Sequence, residues 1–331
     1  MKLFSILKDP STWNSLNLVD FRLPTIPQAY KNNVDSLLSF INKQLDEENA
    51  AEIPRGDYKE FLELAKIFLG GSIDRKNGYT FQLSRPGADH HARWMSKCIY
   101  FLKLSLLSHQ FLQSQLSWQQ KKKVETMAFF IVFPYLESWF CSPSLLGAAE
   151  NDLKLFKRLQ KFSKINKKIS SATSTVLCRH TWYLTEELIP FSLFNKNITL
   201  EERTTLARKI GSLPPAELQL CKPKLPPITD GSTLTDFPGP RSVLLFNLIG
   251  ISHKFLINDN WINQPEYSIT ETALRNLSPL NDSCERALAL ATLVNGKITR
   301  TESSYQELLL VVEAHRKMYA LKTKKDLKKL L

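Results

Sequence analysis

Apolar residues in this chain recur at spacings of three and four rather than two, and that periodicity constrains its fold more than any other feature. Such spacing lays a hydrophobic stripe along one helix face, whereas a half-buried strand needs strict alternation. Val34, Leu37, Leu38, Ile41 and Leu45 form one stripe. Phe61, Leu64, Ala65 and Phe68 form another, with Asp57 expected as N-cap and Gly70-Gly71 as the stop. A third runs through Trp94, Cys98, Phe101, Leu102 and Leu106. Further helices are expected at 119–141, 151–170 and 174–194, with VLLFNLIGISHKFL as a buried helix and two more closing the chain. Only 11 glycines interrupt 331 residues, so the expected fold class is mainly α.

A chain that is 43% hydrophobic and 23% charged has the composition of a globular protein and can bury a substantial core, as one large domain or two intimate ones. The most apolar segment, Met127 to Phe140, is shorter than the roughly 20 residues a bilayer requires and contains Pro134 and Glu137. It reads as a buried helix with a bend, and no membrane partner is expected. At the N-terminus, Asp9 and Pro10 interrupt the apolar stretch before any cleavage-like site, so secretion is not expected. Five scattered cysteines without a CxxC pair signal neither a disulfide framework nor a zinc knuckle. Prolines from Pro214 to Pro240 deny long regular structure there, and 211–242 is expected to be a Pro-rich linker or loop.

The formal charge of +12 suits an anionic partner, because clustered Lys and Arg release the counterions condensed on a nucleic-acid backbone. Basic clusters occur at Lys121-Lys122-Lys123, at Lys157, Arg158, Lys161, Lys164, Lys167 and Lys168, and towards the C-terminus from Lys322 to Lys329. The second cluster puts most of its charges on adjoining sides of one expected helix, a shape that follows a phosphate backbone; a solvated helix face is the other reading. Arg93-Trp94 at a helix start offers a guanidinium and an aromatic plane to phosphate and base, or else a core residue beside a surface one. Asp89, His90 and His91 lack a further ligand at closing distance, so no metal site is assigned. In CRHTWYLTEELIPFSLF, Cys178, His180, Glu186 and Glu187 have no partner spaced as a nucleophile and base require. No Gly-rich phosphate loop, HExxH or GxSxG pattern occurs, which removes the commonest enzyme classes.

Three segments, GDYKEFLELAKIFLGG, PGADHHARWMSKCIYFLKL, and NDSCERALALATLVNGKITR with ELLLVVEAHRK, resemble a group of uncharacterised animal proteins of transposon-derived appearance. Those proteins look in turn like hAT-superfamily transposases, with Arg93-Trp94 and Glu285-Arg286 matching the family's Arg-Trp and Glu-Arg elements. The resemblance implies a helical insertion-domain bundle joined to the C-terminal helices of an incomplete RNase H-like fold. It divides the chain into an N-terminal helical region at 1–92, an insertion-like domain at 93–210, the linker at 211–242, and C-terminal helices at 243–331 that complete the core. It also makes Glu285 the candidate third carboxylate of a site holding two divalent ions, magnesium or manganese, in an active form. Locally, Asp282 and Glu285 match a capping box, which is the structural reading of the same glutamate. The family's two aspartates and Cys-x-x-His element are not found between Met1 and Arg93, so no strand-transfer activity is expected of this chain alone. What the resemblance leaves is a DNA-binding remnant, nuclear or cytoplasmic, contacting nucleic acid through Arg93, Trp94, Lys157, Arg158, Lys161, Lys164 and Lys168, and self-associating through its terminal helices; the alternatives are a helical protein-protein interaction module with no nucleic-acid role, and the C-terminal fragment of an active hAT-like transposase.

Overall fold

A computed structural model of the protein describes residues 4–46, 56–73, 81, 83–85, 94–140, 145–177, 182–215 and 227–275. Among these residues the structure is mainly helical, as the periodicity requires. The chain divides into two compact units, Met1–Glu137 and Ser138–Leu331. That division falls inside the span 93–210 expected as one insertion-like domain, so those residues are shared between the units.

The first unit contains α1 (Ser5–Lys8), α2 (Pro10–Ser15), α3 (Val34–Leu45), α4 (Gly56–Phe68), α5 (Trp94–Leu106) and α6 (Trp118–Phe130). Asp9 caps α2 by accepting from the Thr12 amide at 2.8 Å, and Pro10 fills the first helical position, where its missing N–H costs nothing. Helix α3 packs on α4, α4 on α5 and α5 on α6. The stripes serve as expected: Leu37 and Ile41, then Phe61, Leu64, Ala65 and Phe68, then Cys98, Leu102 and Leu106 are all buried. Asp57, expected as a cap, lies instead inside the first turn of α4, because the helix already begins at Gly56. There its carboxylate still faces the positive end of the helix dipole.

The end of α4 follows the expectation in detail. Gly70 adopts φ 87°, its amide donates to the Ile67 carbonyl at 2.9 Å, and the Gly71 amide donates to the Lys66 carbonyl at 2.9 Å. These two bonds close the last turn in the arrangement that a left-handed residue permits. Further on, α6 continues into a π turn at Ile131–Tyr135 and then α7 (Leu136–Phe140). Pro134 sits within that π turn, whose wider ring accommodates a residue with no N–H to give, so the regular α-helix is interrupted there. Among the described residues, no helix is long and apolar enough to cross a membrane.

The second unit contains α8 (Ala148–Phe162), α9 (Lys167–Leu177), α10 (Leu200–Gly211), α11 (Leu244–Ile249) and α12 (Pro265–Arg275), joined in part by short 3-10 turns. Its core gathers Tyr183, Phe191, Phe194, Phe246 and Trp261. The helix expected over 151–170 is two helices. Asn166 accepts from the Ile169 amide at 2.9 Å and starts α9, while the Ser170 hydroxyl donates back to the Leu159 carbonyl at 2.6 Å and holds the turn closed. The helix expected over 174–194 is likewise not continuous: after α9 the described residues form 3-10 turns at Trp182–Leu184 and Ile189–Phe194, the second carrying Pro190 at its start. VLLFNLIGISHKFL also divides, because Gly250 at φ 78° ends α11 before a 3-10 turn at His253–Ile257.

The proline-rich segment differs from a tether over its second half. Leu234 and Phe237 are buried, Gln160 donates to the Ile228 carbonyl at 2.6 Å, and Arg241 is held between Glu187 at 3.1 Å and Glu186 at 3.5 Å. Residues 227–242 are therefore a packed loop. Gly239 is part of that packing, because a Cβ there would collide with the Glu186 carboxylate. Glu186 and Glu187, which the sequence pattern does not support as catalytic groups, thus serve an ion pair.

Candidate nucleic-acid interface

The basic cluster of the second unit spans the end of α8, the turn after it and the start of α9. From 153 to 170 the sequence places lysine or arginine at 154, 157, 158, 161, 164, 167 and 168, with no aspartate or glutamate among them. Helix α8 buries Leu153, Phe156, Leu159 and Phe162 on one side, which leaves its basic residues on the other. Lys164, Lys167 and Lys168 are exposed, and Lys157 and Lys161 are half-buried.

These cations differ in what they touch. Lys154 pairs with Glu150 at 2.5 Å, one turn earlier. Arg158 donates to the Ser138 hydroxyl at 2.7 Å, and Asn151 donates to the Ser138 carbonyl at 2.8 Å. Arg158, expected as a phosphate contact, therefore holds the start of its own unit. Among the described residues no carboxylate pairs with Lys157, Lys164, Lys167 or Lys168. Because α9 starts afresh at Lys167, the exposed lysines gather around a turn instead of running down one straight helix.

Of the remaining expected contacts, Trp94 opens α5, while Arg93 lies outside the described residues. Glu285, the pair Asp282–Glu285, His90, His91 and the lysines from 322 onward lie outside them as well. Cys98 is a core thiol whose pKa burial raises far above the usual range.

The first unit holds a basic surface that sequence motifs only half reveal. Lys121-Lys122-Lys123 stands out as a charge run, yet its neighbour Trp118 does not. Trp118 and Lys122 are one helical turn apart on α6, so the ammonium lies 5.3 Å from the indole centroid. Arg22 and Pro24, far away in sequence, Ser105 at the end of α5 and Ser108 just after it line the same cleft with Lys121 and Glu125. The i, i+4 Trp–Lys spacing was the local signal; the arrival of Arg22 was not legible without the fold. No family model matches this chain, and neither a curated protein nor a solved structure matches it.

Proposed function

We propose that this protein is a transposase-derived nucleic-acid-binding protein whose second unit grips the phosphate backbone through Lys157, Lys161, Lys164, Lys167 and Lys168. The observation that carries this reading is the acid-free basic turn between α8 and α9, where four lysines have no carboxylate partner among the described residues. Ammonium groups placed together without counter-charges repel one another, and a polyanion relieves that repulsion while shedding its own condensed cations. The three matching sequence segments supply the transposase part of the reading, together with the mainly helical character of the chain. They assign this chain a single family carboxylate, Glu285, so the function proposed is binding and not strand transfer.

Salt dependence of duplex DNA affinity tests it. Binding weakens log-linearly as salt rises, and Lys157→Ala with Lys164→Ala and Lys168→Ala makes that slope shallower by about 0.9 for each phosphate left without a lysine. Circular dichroism should be unchanged, because none of these side chains is buried. An affinity indifferent to salt, or a slope the triple substitution leaves alone, would point to a helical protein-interaction module instead.

A further inference from the structure

The cleft on the first unit has the makings of a binding site in its own right. Its walls come from three places: Arg22 and Pro24 on the segment after α2, Ser105 at the end of α5 with Ser108 in the 3-10 turn that follows, and Trp118, Lys121, Lys122 and Glu125 on the first turns of α6. The Arg22 amide donates to the Leu106 carbonyl at 2.9 Å and fixes that segment against α5. Ser105 lies beneath the surface, 6% exposed. The cleft encloses about 280 Å³, near the lower end of small-molecule sites.

Two features of its lining point to a ligand. Trp118 is 64% exposed, so a large apolar ring stands in water at the mouth of a cleft. Around it are three cations, Arg22, Lys121 and Lys122, against the one carboxylate of Glu125, and no ion pair joins them among the described residues. Lys121 is oriented by its bond to the Phe111 carbonyl at 2.7 Å, and Lys122 by the indole. The α6 terminus does not supply the attraction on its own account: Ser117 and Gln120 cap it reciprocally at 3.3 and 2.8 Å. What the cleft presents is an aromatic face beside fixed positive charge.

We propose that this cleft binds one nucleotide unit, its base against Trp118 and its phosphate against Arg22, Lys121 and Lys122. A nucleotide carries a π-face and an anion a few bonds apart, which matches the pairing of indole and ammonium. The cleft has room for one such unit and none for a duplex, whose base faces are already closed by stacking. This site uses other residues and another unit than the phosphate grip of Lys157 to Lys168, and does not depend on it.

The test uses the full chain with four probes: a single strand of thymidines, the same strand made abasic, thymidine 5′-monophosphate, and duplex DNA. Against the single strand, Trp118→Ala weakens binding by about tenfold or more, the scale of one stacked base, and Trp118→Phe restores most of it. Arg22→Ala with Lys122→Ala weakens both the based and the abasic strand. Duplex affinity stays within about twofold for the Trp118 variants, whereas the lysine substitutions on α8 and α9 change it, so the two proposals fail separately. A monophosphate bound at least as tightly as the strand, and weakened by Trp118→Ala, identifies a free nucleotide as the ligand; a strand bound more tightly than the monophosphate, and weakened by Trp118→Ala, identifies a nucleotide within a chain. Equal binding of based and abasic strands, an unchanged Trp118→Ala, or no binding of either nucleotide probe overturns the proposal. Trp118 is exposed enough for its removal to leave the fold intact, which the circular dichroism of each variant verifies.

Discussion

Lys103 on α5 is 1% exposed, a position where an ammonium survives only if every donor has a partner. It donates to the Ser84 carbonyl at 2.7 Å and pairs with Glu60 on α4 at 2.5 Å, while the Ser84 hydroxyl donates to the same carboxylate at 2.5 Å. Burial pulls the Lys103 pKa below its usual 10.5, and the Glu60 carboxylate pulls it only partway back. The unfolded chain therefore binds the proton more readily between the depressed value and 10.5, and the contribution of Lys103 to stability rises with pH across that window, opposed in its upper part by the buried Cys98 thiol. Lys103→Met abolishes this rise in denaturant titrations at successive pH values. Glu60→Gln strands the ammonium and costs about 2–3 kcal/mol, less than a fully buried pair because Glu60 is itself 26% exposed. Adding Lys103→Met to Glu60→Gln recovers most of that stability. A Glu60→Gln protein as stable as the parent would show the pair to be neutral. Nothing in the residue pattern marked Lys103, because one lysine in an apolar stripe reads like any other until its partner arrives from a distant helix.

At the scale of elements, local chemistry announced itself where one turn contains its own explanation. The stop at Gly70-Gly71 was legible because a left-handed residue is needed after α4, and glycine adopts it without Cβ strain. Gly70→Ala lowers the stability of the chain by about 1 kcal/mol, read as a shift in the denaturant midpoint at constant slope. An unaltered midpoint would mean that the turn relaxes freely. Gly71 is constrained for a different reason: a Cβ there would lie 2.8 Å from Lys66 Cγ and 3.1 Å from a Leu38 methyl on α3. The interruption of the α-helix at Pro134 was legible too, since proline removes one donor wherever it sits in a helix. The break between α8 and α9 was not, because Lys164, Lys167 and Lys168 continue the helical charge spacing through it. Asn166 and the bond from Ser170 to Leu159 decide it, and neither breaks a pattern of apolar and polar residues.

For the whole molecule, +12 is a physical load as well as a signal. Lysines without counter-charges repel across the surface at low ionic strength, and added salt screens them within about 10 Å at 0.1 M. The thermal midpoint therefore rises as salt is raised from low values towards the physiological range, and the rise is smaller in the triple lysine variant of the second unit. A midpoint that falls with salt would mean that the charges are locally paired after all. By itself the sequence determined the helical class, the apolar stripes, the stop at Gly70 and the basic character, since each depends on residues within a turn or two, or on composition alone. Only the tertiary structure decided the division at Glu137, the packing of the loop at 227–242, the inward turn of Arg158 to Ser138, and the meeting of Arg22 with Trp118. Those depend on contacts between residues far apart in the chain, and periodicity, which records only which face of an element is buried, carries no information about what lies against it.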